Sequence, residues 1–261
     1  KIYICKDLCI GKLLYTLTMA EQTNYCTDKK SNNRMYIVDL RETVFRNQTL
    51  EEALAESNSL WEPLYERMDP SETLWIIVSN KYRDGRMWPT AMAAADYIKN
   101  QVSFILKNII TVHNVSDTDA DMVSTYDEIL FFVKNKREYQ FHKDAIRVSH
   151  VYEGNEWGGE RKKGTSAYHD TEVRRYNPDG KDPGNVWLEE DRSQTSTQQV
   201  DETKPIPFDE AIRRCIRVGS QETEKIHTIW AADLADLVTR ENREFVELDV
   251  SVLQSELEGE S

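Results

Sequence analysis

Apolar residues along the chain fall into runs of two spacings. Leu50, Ala53, Leu54, Leu60, Trp61, Leu64 and Tyr65 recur every three or four positions, which predicts one amphipathic helix. Pro63 lies inside it and predicts a bend there. Asp69-Pro70-Ser71-Glu72 reads as a turn. Leu74 to Ser79 is apolar almost throughout, as expected of a central strand buried on both faces. Pro89 suits the first turn of an Ala-rich helix over 89–101. Phe104–Val112 and Glu128–Val133 read as two further strands, and Lys1–Ile4 and Leu17–Ala20 as short early ones. After Pro205-Ile206-Pro207, a helix buries Phe208, Ala211, Ile212, Cys215 and Ile216. A helix around 231–240 leads to a strand over Phe245–Leu248, and the Glu- and Ser-rich tail from Leu253 is expected to fray. The alternation predicts an α/β fold, a mostly parallel sheet with helices on both faces.

Residues 137–200 break this rhythm. They are rich in Gly, Asn, Asp, Arg, Tyr and Ser, and predict an insertion of irregular or β structure. Charge sharpens the division. The chain carries a net −13, which argues against a generic nucleic-acid coat because phosphate binding needs cations. Residues 134–192 hold equal numbers of acidic and basic side chains, so the remainder carries the whole imbalance. A neutral, Arg-bearing segment on an acidic body suits local DNA contact, and suits an ordinary solvated surface as well.

Other features narrow the class. No apolar run approaches the ~18–20 residues of a membrane-spanning helix, so no membrane partner is expected. Cys5, Cys9, Cys26 and Cys215 lack paired metal-ligand spacing, which predicts reduced thiols and no metal. The chain opens on Lys1, so trimming or processing is expected, and no signal peptide is visible; the expectation is an intracellular, soluble protein.

Four stretches, in order, resemble the β-type amino-DNA methyltransferases, which make N4-methylcytosine or N6-methyladenine. Trp61 through Asn80 is similar to that family's helix, turn and strand after the catalytic loop. Phe104–Ile110 followed by Tyr126–Lys134 is similar to its next strand pair. Thr203-Lys204-Pro205 with Ala211–Ile216 resembles the Lys-Pro helix beside the cofactor pocket, and Asn242–Asp249 resembles the strand ending in a ribose-binding acid. The resemblance implies a methyltransferase-like Rossmann fold with a catalytic half at 1–136, a target-recognition insertion at 137–200 and a cofactor half at 201–261. It also implies S-adenosylmethionine as cofactor, should the protein be active, and DNA as partner.

Two departures stand against activity. In the family an Asp, Ser or Asn, then Pro-Pro, then an aromatic residue hold the amino group of a flipped base. After Leu17–Ala20 the chain reads Glu21-Gln22-Thr23-Asn24-Tyr25, where Tyr25 alone matches, as a vestigial catalytic residue or a core aromatic. The family's Gly-Ser-Gly-type loop lets the cofactor approach the backbone. Here Ile226–Trp230 runs directly into Ala231-Ala232-Asp233-Leu234, without a glycine between Gly219 and Gly259. Asp249 remains as a ribose-binding candidate; His227 is read as a packed histidine rather than a base. In the insertion, Arg161, Lys162, Lys163, Arg174 and Arg175 lie beside Trp157, Tyr168 and Tyr176, a mixture suited to phosphates and bases, or to a protein interface. The sequence therefore predicts a degenerate, non-catalytic methyltransferase-like protein without a cofactor, acting in binding or assembly with a protein partner or itself. The alternatives are an active S-adenosylmethionine-dependent DNA N4-cytosine or N6-adenine methyltransferase, and a non-enzymatic DNA-binding module.

Overall fold

The unbroken apolar run at 74–78 forms the middle strand of a seven-stranded sheet, seen in a computed structural model. The structure describes residues 33–113, 126–148, 156–158, 173–175, 177, 179–188 and 205–259. Of 156–158, 173–175 and 256–259 it describes the backbone alone.

The principal strands are β1 (Arg34–Asp39), β2 (Thr73–Ser79), β5 (Ile105–His113), β6 (Tyr126–Val133), β9 (Val186–Trp187), β10 (Lys225–Ile229) and β11 (Glu244–Glu247). They are ordered β11-β10-β1-β2-β6-β5-β9. Four of the six pairings are parallel, and β6 alone runs against the rest. This is the mostly parallel α/β sheet expected. Among the described residues, two short antiparallel pairs complete the strands, β3 (Lys81–Arg83) with β4 (Arg86–Trp88) and β7 (Glu156–Gly158) with β8 (Val173–Arg175).

Side chains alternate across the central strands and enter two cores. A short helix, α1 (Arg41–Arg46), follows β1. Tyr36, Val38, Leu74, Ile76 and Phe132 face one side of the sheet. That side is covered by α2 (Leu50–Glu56), α3 (Asn58–Arg67), α4 (Thr90–Gln101) and the last helix, Val250–Gly259. Met35, Ile37, Trp75, Ile77 and Phe131 face the other side, where α5 (Phe208–Gly219) and α6 (Ala235–Arg240) pack. The last helix is α7. Packing dominates over local signals. Pro207 gives α5 no side-chain cap, whereas burying Ile212, Ile216 and Val218 contributes on the order of 6 kcal/mol gross, against about 1 for a cap.

Two expectations are corrected, and one strand is added. The helix over 50–65 is two helices, broken at Ser57 rather than bent at Pro63. Thr49 and Glu52 close a capping box at the start of α2; buried Ser57 ends it by donating to the Leu54 carbonyl while accepting from Trp61 Nε1. Pro63 removes a donor inside α3, and the Ser59 carbonyl accepts from Gln254 Nε2 of α7 at 3.4 Å. The tail from Leu253 is part of α7, with Leu253 buried. The added strand is β1, which lies between β10 and β2; the early strands at Lys1–Ile4 and Leu17–Ala20 fall outside the described residues.

Within 137–200, a 3₁₀ turn at Lys143–Ile146 and strand β9 place Ile146 and Trp187 in the core beneath α5. Val148 bridges to Lys181. Gly180 sits there with φ +102°, and a Cβ on it would collide with the Val148 carbonyl oxygen, so only glycine fits.

Candidate functional site

The connections from β1 and β10 diverge. The chain leaves β1 through α1, α2 and α3 to reach β2 on one side. It leaves β10 through a 3₁₀ turn at Ala232–Leu234 and α6 to reach β11 on the other. Open α/β sheets bind ligands at the carboxyl ends of strands where the order reverses in this way. The loops there are Leu40-Arg41 after β1 and Trp230-Ala231 after β10. The start of antiparallel β6, Asp127 and Glu128, reaches the same edge beside Ser79.

An internal ion pair holds this point. Leu40 N–H donates to the Ile77 carbonyl at 3.0 Å, extending β1 by one step along β2. Buried Asp39 then accepts the Arg41 backbone N–H at 2.9 Å, which turns the chain into α1. The Arg41 guanidinium binds the same carboxylate, Nη2 to Oδ2 at 2.6 Å and Nε to both oxygens at 3.0 Å. Its other neighbour is the Phe208 ring, with the guanidinium carbon 4.1 Å from the centroid. Burial disfavours the Arg41 charge, yet the bonds and charge of Asp39, with Asp233 and Asp127, hold its pKa above the ordinary value. Ser79 Oγ donates to Asp127 at 2.5 Å. Burial pushes Glu128 above the usual carboxylate range; the Asn80 amide opposes this and the Asp127 charge adds to it.

The turn after β10 differs from a glycine loop that would let a nucleoside cofactor approach the backbone. Trp230 takes φ +58°, a conformation natural to glycine, and Ala231 leads straight into the 3₁₀ turn. No glycine lies between Gly219 and Gly259 to open the backbone of this turn.

Beside this edge, the β3–β4 hairpin gathers cations on aromatic faces. Its tip, Asp84-Gly85, has positive φ at both residues, the geometry of a tight two-residue hairpin. Lys81 Nζ lies 4.9 Å from the Phe45 ring and 5.3 Å from Trp88, and Arg83 lies 5.3 Å from Trp88. Lys81 donates to the Val44 and Phe45 carbonyls, and Arg83 to the Asn47 carbonyl at 2.6 Å. Burial lowers the Lys81 pKa, and the Arg83 charge lowers it further. Among the described residues no carboxylate pairs with Lys81, Arg83 or Arg86. Phe45 is 71% exposed. The Asp-Gly pair between two short basic-aromatic segments is the sequence signal that marks this hairpin.

The residues singled out from the sequence are only partly placed. Tyr25, Arg161, Lys162 and Lys163 lie outside the described residues, as do Tyr168 and Tyr176. Arg174 and Arg175 belong to β8 and Trp157 to β7, whose side chains are not described. Asp249 follows β11 and accepts the Ser251 hydroxyl and backbone N–H, each at 2.8 Å. Those two bonds hold its carboxyl below the usual range and cap the start of α7. His227 is buried in β10, its ring 5.2 Å from that of Tyr36. Cys215 is buried and reduced, its thiol pushed up by burial. Among the described residues, no group of three or more His, Cys, Asp or Glu could hold a metal, and no helix is long and apolar enough to cross a membrane.

The sheet order, the lone antiparallel strand and the reversal of the chain between β1 and β10 are those of a methyltransferase-like Rossmann fold. Residues 22–227 match the model of a family described as DNA methylase (N6_N4_Mtase), and the chain belongs to that family. Among solved structures it is similar to the PvuII DNA methyltransferase, described as cytosine-N4-specific, at 9% identity over 85% of this chain and 78% of that one, with TM-score 0.53. It is also similar to TTHA0409 of Thermus thermophilus, provisionally assigned as a DNA modification methylase. The identity there is 15% over 87% of this chain and 86% of that one, with TM-score 0.50. These likenesses concern the fold. No curated protein matches the sequence.

Proposed function

We propose that this DNA methylase family member no longer transfers methyl groups and acts instead in binding or assembly. The observation that carries the reading is the turn after β10, where Trp230 and two alanines replace the glycine loop that a nucleoside cofactor needs. The β1 edge supports it. Asp39-Leu40-Arg41-Glu42 leaves the strand at the switch point, in the place where the family's Asp-Pro-Pro-aromatic loop belongs. Only the acid survives there, and it is committed to Arg41. A carboxylate whose two oxygens already accept four bonds from Arg41 has its acceptor sites filled before a base amino group arrives, and Leu-Arg lacks the stiffness of Pro-Pro. With the loop at 39–42, Tyr25 precedes its strand and is not the loop's aromatic residue, and Asp249 serves α7 rather than a ribose.

A tritiated-methyl transfer assay on duplex DNA, with calorimetric titration of S-adenosylmethionine, tests this. Neither turnover nor binding in the micromolar range is expected. Turnover that disappears in Asp39→Ala or Tyr25→Ala would establish instead an active N4-cytosine or N6-adenine methyltransferase with altered motifs.

A further inference from the structure

The β3–β4 hairpin is a cationic surface built without its counter-charge. Directly opposed residues of an antiparallel pair share a face. Lys81 opposes Trp88 and Arg83 opposes Arg86, so three cations and an indole share one face, and Tyr82 and Met87 take the other. Like charges set directly opposite each other destabilise a strand pair. Arg83 and Arg86 are such a pair, and among the described residues neither meets a carboxylate that would relieve it. Arg86 is exposed and, among the described residues, makes no hydrogen bond either.

The other two cations are fixed in place and not neutralised. Lys81 donates to the Val44 and Phe45 carbonyls, and Arg83 to the Asn47 carbonyl and the Gln48 side chain at 3.1 Å. These acceptors carry no charge. They hold the head groups where they are and leave further N–H donors on each. Just beyond them the sign changes. The Asn47 amide donates to Glu56 at 2.7 Å and the Gln48 backbone N–H to Glu52 at 3.2 Å, so two carboxylates border the cationic face.

These features select a partner. Two guanidiniums facing each other take an anion between them, and their forks match a carboxylate. A polyanion that continued past the hairpin would meet Glu52 and Glu56. Single-stranded nucleic acid would also stack its bases on rings. Here Lys81 lies over Phe45 and Trp88, and Arg83 over Trp88, so those ring faces already carry cations. Phe45 still stands largely out of the surface and offers apolar area beside the charges. We propose that the β3–β4 hairpin docks a short acidic segment of a partner protein, with a carboxylate between Arg83 and Arg86 and a neighbouring apolar side chain against Phe45. The acidic remainder of the chain repels such a segment everywhere else, which confines it to this face. The inference deepens the binding role proposed above and rests on that reading for its purpose, while its test involves neither S-adenosylmethionine nor methyl transfer.

Fluorescence anisotropy of labelled probes on the full chain tests it. A peptide repeating Glu-Glu-Leu should bind saturably, and more weakly as salt rises. A peptide repeating Gln-Gln-Leu and an oligothymidylate of equal length should each bind at least about tenfold more weakly. Arg86→Glu should weaken the acidic peptide about tenfold or more, the loss expected of a charged hydrogen bond. The same variant should melt at or above the wild-type temperature, because a cross-strand repulsion becomes an attraction. Arg86→Gln, which only removes the charge, should lose binding to a similar degree, and Phe45→Ala severalfold. No saturable binding of the acidic peptide at millimolar concentration overturns the proposal, as does binding that both Arg86 variants leave unchanged. Equal or tighter binding of the oligothymidylate would make the hairpin a nucleic-acid contact instead, and equal binding of the Gln-Gln-Leu peptide a merely apolar one. A lower melting temperature in Arg86→Glu would show that Arg86 already has its partner within the chain, and overturns the proposal too.

Discussion

Asp39 and Arg41 show how one residue pair fixes the turn at a strand end. Asp39 is buried and accepts from three donor groups of Arg41, so the pair is held by geometry as well as by charge. Arg41→Ala leaves a buried carboxylate without its partner and should destabilise the protein by about 2–3 kcal/mol, read from urea unfolding. Arg41→Lys should recover less than half of that, because an ammonium cannot reproduce the guanidinium fork. Equal stability of the Ala variant and the wild type would show that the pair is ornamental. Sequence reading missed this pair because Met35–Val38 is only a four-residue apolar run, too short to stand out. The acid that follows it is the visible clue.

Glu72 gives a second residue-scale test. Its carboxylate accepts Arg34 Nε at 2.5 Å and the Asp69 N–H at 2.8 Å. Burial nevertheless raises its pKa; the Arg34 and Asp69 bonds oppose the rise and the Asp69 charge adds to it. The folded protein therefore holds this proton more tightly than the unfolded chain. Its contribution is complete below the unfolded value of about 4.3 and is lost as pH rises through the raised folded value. Glu72→Gln cannot titrate, so the stability of wild type minus variant should fall as pH rises through that window. Unfolding curves taken from pH 4 to 7 give the slope directly; a flat difference would refute it.

At the scale of elements, the legible parts were those with long, strong periodicity. Strand β2, the helix opened by Pro89 and the helix after Pro207 stand where the pattern puts them. The misread parts turned on single polar contacts that spacing does not encode. Ser57 breaks a helix whose apolar rhythm runs through it, and the Glu- and Ser-rich tail forms α7 because Leu253 finds the core beneath α3 and Gln254 finds a carbonyl orphaned by Pro63. Leu253→Ala should accordingly cost about 2 kcal/mol in thermal or chemical unfolding, near the lower end for a buried leucine. A frayed tail would lose less than about 0.5 kcal/mol.

At the scale of the whole molecule, the parallel sheet was legible and the candidate site was not. Its parts come from loops far apart in sequence, brought together by strand order alone. The acidic body also bears on partners. If the binding role extends to DNA, contact through the insertion should be weak and steeply salt-dependent, since few phosphates are neutralised at once. Replacing Arg161, Lys162, Lys163, Arg174 and Arg175 with Ala should abolish it and flatten the dependence of anisotropy on salt. Binding that survives in this variant would move attention to Lys81, Arg83 and Arg86 on the hairpin, whose replacement then becomes the decisive measurement.

The seam between β1 and β10 also governs how the chain comes to be folded. Arg34 pairs with Lys225, so a central pairing of the sheet joins residues about 190 positions apart. A ribosome adding 5–20 residues each second leaves roughly 10–40 s between the synthesis of the two strands. Through that interval the β1–β2–β6–β5 half can form with one long side of β1 open, a row of backbone donors and acceptors ready for any strand of matching length. A neighbouring nascent copy can supply that strand, exchanging its C-terminal half across the insertion. Synthesis rate and chaperone occupancy then bear on how much chain takes that route.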